Sequence, residues 1–249
     1  ALLDRALALG MPALALTDHD GLYGAVRFST EAQKRGLRPI LGAELTLTSE
    51  EHLVLLAEDR QGYANLCWLI SQAQLAESKG HARLPLSLLP GHAEGLIALT
   101  ACRQGPLARP LLAGERDAAR AALRQLQQIF PAGYLYVEMQ NHFLREDAAL
   151  AAALAELAAE AGLPLVVTNN THYAERDGHR LADVLKAIDH NVPLDDAQEW
   201  LRPNSEWYLK SADELAPLFA DYPQALANSL EIADRCRVEI AFREQALPP

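Results

Sequence analysis

Short apolar runs separated by longer stretches of helical spacing dominate the chain. Within each run apolar and polar residues do not alternate, which is typical of strands covered on both faces. Such runs end at a threonine or an acidic residue several times along the chain. They predict six strands: Pro12–Thr17, Pro39–Leu45, His52–Ala57, Leu96–Thr100, Tyr134–Glu138 and Pro164–Thr168.

The stretches between these runs carry apolar residues at helical spacing. They predict helices at Gly21–Arg35, Tyr63–Leu75, Glu115–Ile129 and Glu146–Ala161, and then at His179–Asp189, Ala212–Phe219 and Gln224–Arg235. Strands alternating with helices predict an α/β fold with a parallel sheet, open or closed. The helical pattern at Leu2–Leu9 has no strand before it. We therefore expect a missing strand upstream of Ala1 and treat the chain as part of a longer one.

Composition and charge narrow the class of protein. The 249 residues are 50% hydrophobic and 22% charged, as in an ordinary globular domain, and no apolar run approaches the roughly 20 residues of a membrane-spanning helix. The net charge of −11 disfavours non-specific duplex binding by this segment alone, although bound metal ions can reverse a local field. Cys67, Cys102 and Cys236 lie far apart, which argues against a disulfide framework and for a reducing cytoplasm.

Side chains that bind metals cluster at predicted strand ends. His19 and Glu44 close the first two strands, His52 opens the third, and Cys102 and His172 follow the fourth and the sixth. In α/β barrels and open α/β sheets, chemistry sits at the carboxyl ends of the strands. Imidazole, carboxylate and thiolate are ligands of divalent transition metals. Their joint occurrence favours a metal site, although no single position decides it.

Each of these residues also has a structural explanation when taken alone. Asp18 or Asp20 suits the N-cap of the following helix, and Cys102 suits a small buried position. Glu44 and His172 suit a turn and a hydrogen-bonded loop, and a surface strand position explains His52. The remaining histidines are expected to lie outside any metal cluster: His81, His92, His142, His179 and His190.

At these residues the chain resembles the polymerase-and-histidinol-phosphatase (PHP) domain of bacterial C-family DNA polymerases. That family comprises the polymerase III alpha subunit and its error-prone relatives. The resemblance covers essentially the whole chain: a PHP domain at 1–240, helical from about 175, with 241–249 as the start of a linker to the polymerase core. Its motifs are Ala15–Val26, Pro39–Glu44, His52–Ala57 with Gly62–Leu66, Gly95–Cys102, Gly162–Tyr173 and the polymerase-specific Arg202–Ser211.

The resemblance implies a distorted (β/α)7 barrel of parallel strands with helices outside, its first strand missing here. It also implies up to three divalent metal ions. His19 and His172 would serve one ion, Glu44 would bridge two, and His52 and Cys102 would complete a second. A thiolate beside imidazoles favours zinc there, with manganese and magnesium as alternatives.

Two departures from the family's pattern bear on activity. The HxH motif of the family's first strand is absent, and Asn170 stands where the last motif usually carries aspartate. A neutral amide binds a metal more weakly than a carboxylate does. The candidate catalytic residues are Asp18, Glu44 and Asn170, and we expect little or no hydrolysis by the segment as given.

The resemblance implies a fragment of a DNA-directed DNA polymerase of replication or repair, with nucleotide transfer performed outside this sequence. The short Glu44–His52 spacing resembles the error-prone branch. A working PHP site would hydrolyse phosphodiester bonds in the 3′-to-5′ exonuclease sense. Two alternatives stay open: a catalytically silent scaffold that docks a proofreading subunit, and a stand-alone phosphatase. The expected partners are DNA, through the full polymerase, and the other polymerase domains, with no membrane.

Overall fold

One curled sheet organises the protein in the computed structural model, which describes residues 1–240. Its six strands follow each other in space in the same order as in the sequence. All six predicted strands are present, with their ends shifted by at most two residues, and the expected α/β class is confirmed. The strands are β1 (Ala13–His19), β2 (Arg38–Thr46), β3 (His52–Ala57), β4 (Leu96–Leu99), β5 (Leu135–Met139) and β6 (Leu165–Val167).

Helices fill most of the connections and the whole segment after β6. The pattern did not predict the short α4, which lies in the β4–β5 connection. Over residues 1–240 helical residues clearly outnumber strand residues. The helices are α1 (Leu2–Ala8), α2 (Ala25–Lys34), α3 (Arg60–Ala76), α4 (Ala108–Leu112), α5 (Arg116–Ile129), α6 (Asp147–Ala161), α7 (His179–Asp189), α8 (Ala212–Leu215) and α9 (Pro223–Arg235).

The direction of β3 corrects the prediction of uniformly parallel strands. The pairs β1–β2, β4–β5 and β5–β6 are parallel, but β3 runs antiparallel to both β2 and β4. The reason is the length of the connection between β2 and β3. A parallel crossover needs about a dozen residues or more, whereas only residues 47–51 separate these two strands, so they form a hairpin.

Both faces of the sheet are covered, which explains why the strands lack alternation. On β3, Leu53 and Leu55 belong to a large core that includes residues of α3, α5 and α6. The intervening Val54 and Leu56 pack in a second core with Ile232 of α9. Helices α3, α5 and α6 thus cover one face of the sheet, and α9 covers the other. Strand patterns report that a face is buried, not which helix buries it.

Among residues 1–240, the structure contains no helix with the length and apolar content needed to cross a bilayer. The expected linker at 241–249 lies outside the described residues.

Candidate metal centre

Three side chains meet at one edge of the sheet, at the turn end of the β2–β3 hairpin. His52 Nδ1 lies 2.8 Å from Glu44 Oε1, and Cys102 Sγ lies 3.5 Å from that oxygen and 3.6 Å from His52 Nδ1. The three residues come from the end of β2, the start of β3 and the turn after β4. An imidazole, a carboxylate and a thiol therefore form a compact triangle, which we call the donor triangle.

The hairpin places His52 in this triangle. Because β3 is antiparallel to β2, its first residue lies beside the carboxyl end of β2, where His52 pairs with Thr46 and Val54 pairs with Glu44. A parallel β3 would have carried His52 to the other end of the sheet. The strand direction that the sequence pattern did not predict is thus what brings this histidine to the site.

His19 completes the group from the end of β1. Its ligand atom lies within 4.8 Å of those of Glu44 and His52, and its ring meets the His52 ring edge-on at a centroid distance of 4.6 Å. Asp20 fixes the orientation of His19, since its carboxylate lies 2.9 Å from His19 Nδ1. The same carboxylate accepts hydrogen bonds from the backbone N–H and the hydroxyl of Thr46 at 2.7 and 2.8 Å.

The charges of the group are coupled. Burial tends to raise the pKa of Glu44, but the hydrogen bond from His52 and the nearby His19 outweigh burial, so its pKa is lowered. The Asp20 contact raises the pKa of His19 against a smaller opposing effect of burial. Burial, followed by the charge of Glu44, raises the pKa of the Cys102 thiol to about 12. Without a cation the site therefore holds an ionised carboxylate beside a protonated thiol.

The donor triangle fits a single tetrahedral ion. Zinc bonds of about 2.0–2.1 Å to nitrogen or oxygen and about 2.3 Å to sulfur place the ligand atoms of a tetrahedral site roughly 3.3–3.6 Å apart. The two sulfur distances of the triangle, 3.5 and 3.6 Å, fall in this range, and the 2.8 Å nitrogen–oxygen distance is a hydrogen bond that an ion would replace. With His19 as a fourth ligand, through a ring nitrogen, the donor set has the chemistry of a site for a divalent transition metal.

Substitution of Asp20 tests whether its carboxylate orients the His19 ring for metal binding. We expect Asp20→Asn to weaken metal binding about 10- to 100-fold, because a carboxylate partner of a ligating histidine contributes that much. Zinc affinity measured by competition with a chelating dye gives the result. The exposed Asp213→Asn is the control, since no hydrogen bond from its side chain to another described residue is present. Equal affinities of the two variants would contradict an orienting role for Asp20.

His172 and Asn170 lie on the loop after β6. Asn170 adopts a left-handed backbone conformation (φ 41°), and its Oδ1 lies 3.1 Å from His172 Nε2. The backbone N–H of His172 donates to the carbonyl of Trp207 at 2.8 Å. Among residues 1–240 His172 makes no hydrogen bond to the other four predicted ligands, but it lies near enough to Glu44 and His19 for their charges to affect it.

Arg202 faces the same region. Among the described residues it has no hydrogen bond or ion pair from its guanidinium, which lies over the Trp207 ring at 5.7 Å. Burial lowers its pKa, while Glu44 and Cys102 are near enough for their charges to raise it. Burial and Arg202 together lower the pKa of His172. An arginine beside a candidate metal centre that has no carboxylate partner in the described part of the chain can bind an anion.

Glu138 is a second carboxylate near the centre, at the end of β5. It is fully buried and accepts hydrogen bonds from the Thr168 hydroxyl and from Gln140 Nε2, the latter at 2.9 Å. Its Oε2 atom has no partner among the described residues. Burial raises the pKa of Glu138, and the charge of Glu44 adds to that effect. Glu138, near the candidate metal centre, therefore carries a carboxyl group that favours its protonated form.

Asp18 has a different position from the other candidates. Its carboxylate accepts the backbone N–H of Gly24 at 2.6 Å, the residue just before α2. Gly24 itself is the N-cap, so Asp18 does not take the N-cap position that the sequence left open, but the contact directs its carboxylate to the segment before the helix. Asp18 is therefore better explained as a structural residue than as a catalytic one.

The other histidines have partners elsewhere. Three stack on tryptophan rings: His92 on Trp68, His142 on Trp207 and His190 on Trp200. His179 contacts the carbonyl of Arg176, and His81 lines an open surface cleft with Arg83. None of the five belongs to the His19–Glu44–His52 group that the described residues form.

Sequence reasoning did not assign roles to Asp20, Arg202 or Glu138 at the site. A signal existed for Asp20, because acidic residues flank His19 on both sides in Thr17–Asp20, and for Glu138, because it ends a predicted strand. Nothing local distinguishes Arg202, whose place depends on the return of a distant segment to the strand ends.

The fold and site define a class: an α/β domain with a curled sheet whose strand ends carry histidine, carboxylate and thiol ligands. Residues 1–142 match the PHP domain family, and the chain belongs to that family. The family membership expected from the motifs is thereby confirmed.

The curated relatives are long polymerases. The chain is 40% identical over 252 residues to an error-prone DNA polymerase of Symbiobacterium thermophilum, covering 95% of this chain and 23% of that protein. It is 36% identical over 261 residues to a DNA polymerase III subunit alpha of Treponema pallidum, covering 99% of this chain and 22% of that protein. The chain thus spans less than a quarter of the length of these relatives.

Among solved structures, an amidohydrolase from Chromobacterium violaceum aligns at 15% identity and a TM-score of 0.46, covering 68% of this chain and 80% of that one.

Proposed function

We propose that this chain is the PHP domain of a bacterial C-family DNA polymerase that acts in replication or repair synthesis. Similarity along nearly the whole chain to both an error-prone polymerase and a polymerase III alpha subunit supports the proposal. In such a protein nucleotide transfer, and with it the main contact to DNA, belongs to the other three quarters of the polypeptide. The three free cysteines fit a reducing cytoplasm.

We further propose that the domain binds a divalent metal ion, with zinc preferred to manganese or magnesium. The single observation that carries this proposal is the donor triangle of Glu44, His52 and Cys102, with His19 beside it. A thiolate ligand selects zinc over magnesium, which prefers oxygen ligands. Bound there, the ion would supply Lewis-acid polarisation of a phosphate oxygen.

The protein's own residues outline a phosphate site next to these ligands. The guanidinium of Arg202, which has no hydrogen-bond or ion-pair partner among residues 1–240, can bind a phosphate oxygen pair, which is the geometry that arginine favours. His172, whose pKa is lowered, is neutral at pH 7 and can accept or donate one hydrogen bond. The substrate class that fits is a phosphodiester end, and Arg202 with His172 would orient it against the donor triangle.

We expect the unmodified chain to hydrolyse such a substrate weakly or not at all. Asn170 places a neutral oxygen beside His172 where the family usually has a carboxylate. A second metal ion bound through His172 would then lack an anionic ligand, and one ion cannot stabilise both the attacking and the leaving oxygen of a displacement. Restoring the carboxylate by Asn170→Asp, together with an upstream first strand bearing HxH, should raise both metal stoichiometry and hydrolysis.

The measurement is cleavage of 3′-labelled single-stranded DNA with zinc or manganese supplied, alongside metal content by elemental analysis. We expect a rate gain of at least about 100-fold for the restored chain, since removing one charge-stabilising group from such a site costs on the order of 10²–10³. Asn191→Asp on the surface is a matched control, because Asn191 also has a left-handed backbone (φ 52°). Robust cleavage by the unmodified chain, abolished by Glu44→Ala, would contradict the assignment of weak activity.

Asn170 also favours a second candidate function, a catalytically silent scaffold that stabilises the polymerase and docks a partner such as a proofreading subunit. The two proposals differ in metal dependence. A scaffold keeps its partner affinity after chelation of bound metal, whereas a hydrolytic site loses its reaction. Binding and cleavage measured on the same chelated sample distinguish them.

A further inference from the structure

Helix α7 exposes an apolar surface that the domain does not use. The exposed fractions are 65% for Leu181, 56% for Leu185 and 66% for Ile188, and Val184 is also exposed. Only Ala187 of this helix is buried. A surface helix ordinarily turns its apolar residues towards the core and its charged residues outwards. In α7 most of the apolar residues face water instead.

The exposed residues form one stripe. Leu181, Val184, Leu185 and Ile188 follow the spacing i, i+3, i+4, i+7, which puts them on a single face of the helix. Contiguous exposed apolar surface on a soluble protein marks an interaction site, and this spacing is that of a helix held in an apolar groove. We call these four residues the α7 stripe.

The contacts of α7 with its surroundings involve residues other than the stripe. His179 Nδ1 lies 2.8 Å from the carbonyl of Arg176 just before the helix, and the His190 ring stacks on Trp200 after it. Ala182 packs against the buried aromatic cluster of Tyr173, Trp207 and Tyr208, while the stripe remains exposed. The stripe contains none of the candidate metal ligands, so its role is separate from the donor triangle.

We propose that the α7 stripe packs into an apolar groove in the remainder of the same polypeptide, in the full-length polymerase. The inference rests on the proposed function, because it needs a longer chain. The length of the curated relatives indicates why the remainder of the polypeptide is the partner of the stripe. The region that matches this chain is only 22–23% of their length. A domain joined to such a large remainder meets it at high effective concentration, which favours docking within the chain over capture of a separate partner.

The test uses the full-length protein. A photo-crosslinking residue at Leu185 should form an intramolecular crosslink to a peptide beyond residue 249, identified by mass spectrometry. Leu75 of α3 is the matched control: it is 81% exposed but has no apolar stripe around it, and we expect no specific crosslink from it. Crosslinks from Leu185 to a second copy, to another protein, or to nothing would each overturn the proposal.

A paired substitution gives an independent measurement. Leu185→Glu with Ile188→Glu should speed proteolytic separation of the domain from the remainder at least about tenfold, since truncating central apolar anchors of an interface commonly costs a factor of ten or more. Leu75→Glu should leave this rate unchanged, and an unchanged rate in the paired variant would overturn the proposal. Zinc content should stay the same in all three proteins. A full-length protein without polymerase activity or zinc would count against the proposed function instead.

Discussion

Replacing Glu44 with alanine will weaken zinc binding by more than about 100-fold. Glu44 is the shared member of the donor triangle, within 2.8 Å of His52 and 3.5 Å of Cys102, and it is the only ionised anion of that triangle in the metal-free protein. Losing a partner of a metal ligand costs about 10- to 100-fold, so losing a direct ligand should exceed that range. Two imidazoles and the Cys102 thiol would remain, and burial, the largest cause of the raised thiol pKa, would still act on it.

Thermal unfolding with and without zinc measures this loss. Zinc at about 100 times its dissociation constant stabilises a folded protein by about 2.7 kcal/mol, which is roughly 5–11 °C in Tm for a chain of this size. We expect this increase in the unmodified protein and almost none in Glu44→Ala at the same zinc concentration. Glu31→Ala is the control, because Glu31 lies on the surface in an ion pair with Lys34. A Glu44→Ala protein stabilised as much as the control would refute the assignment of the site.

The strands could be predicted because burial leaves a local signature. Leu53–Ala57 is apolar at every position since one set of side chains meets α3 and the other meets α9, and a continuous apolar run reports exactly that two-sided cover. Strand direction leaves no such signature within the strand. The direction of β3 depends on the length of the five-residue connection before it. The periodicity of apolar residues carries no information about that length.

The site was predictable where its residues lie at strand ends, and not where they depend on long-range contacts. His19, Glu44 and Cys102 end strands or follow them, so their convergence follows from topology. The orienting contact between Asp20 and Thr46 depends on the pairing of β1 with β2. The place of Arg202 depends on a segment at least 100 residues further along the chain than Glu44 and Cys102, which returns to the edge of the sheet near them. Contacts of this kind are set by packing over long sequence distances.

The loop that carries Asn170 and His172 is held by such a contact. The side chain of Asn169 donates to the carbonyls of Glu206 and Tyr208 at 3.0 and 2.7 Å, and its Oδ1 accepts from Lys210 Nζ at 3.2 Å. Lys210 is almost fully buried and also pairs with the Glu206 carboxylate at 3.2 Å. The buried ammonium of Lys210, held by the Glu206 carboxylate, thus helps to tie the 202–211 segment to the strand-end loop.

Replacing Lys210 with methionine will destabilise the 249-residue chain by about 3 kcal/mol. Methionine keeps the length of the side chain, so the loss comes from the charge and its hydrogen bonds. Removing one partner of a buried ion pair costs about 3–5 kcal/mol, because the other charge is left in a poor solvent. The low end applies here since Arg176 still pairs with Glu206. Thermal unfolding should show a Tm lower by roughly 6–12 °C.

Lys186→Met is the matched control for this prediction. Lys186 pairs with Asp189 at 3.4 Å on the exposed side of a helix, and an exposed pair contributes at most about 1 kcal/mol. A second substitution separates charge from cavity: in the Lys210→Met background, Glu206→Gln should recover part of the lost stability, because it removes the uncompensated carboxylate. If Lys210→Met unfolds within about 1 °C of Lys186→Met, the buried pair does not hold the loop, and the position of His172 must depend on the other contacts, which include the Asn169 side chain and the backbone bond to Trp207.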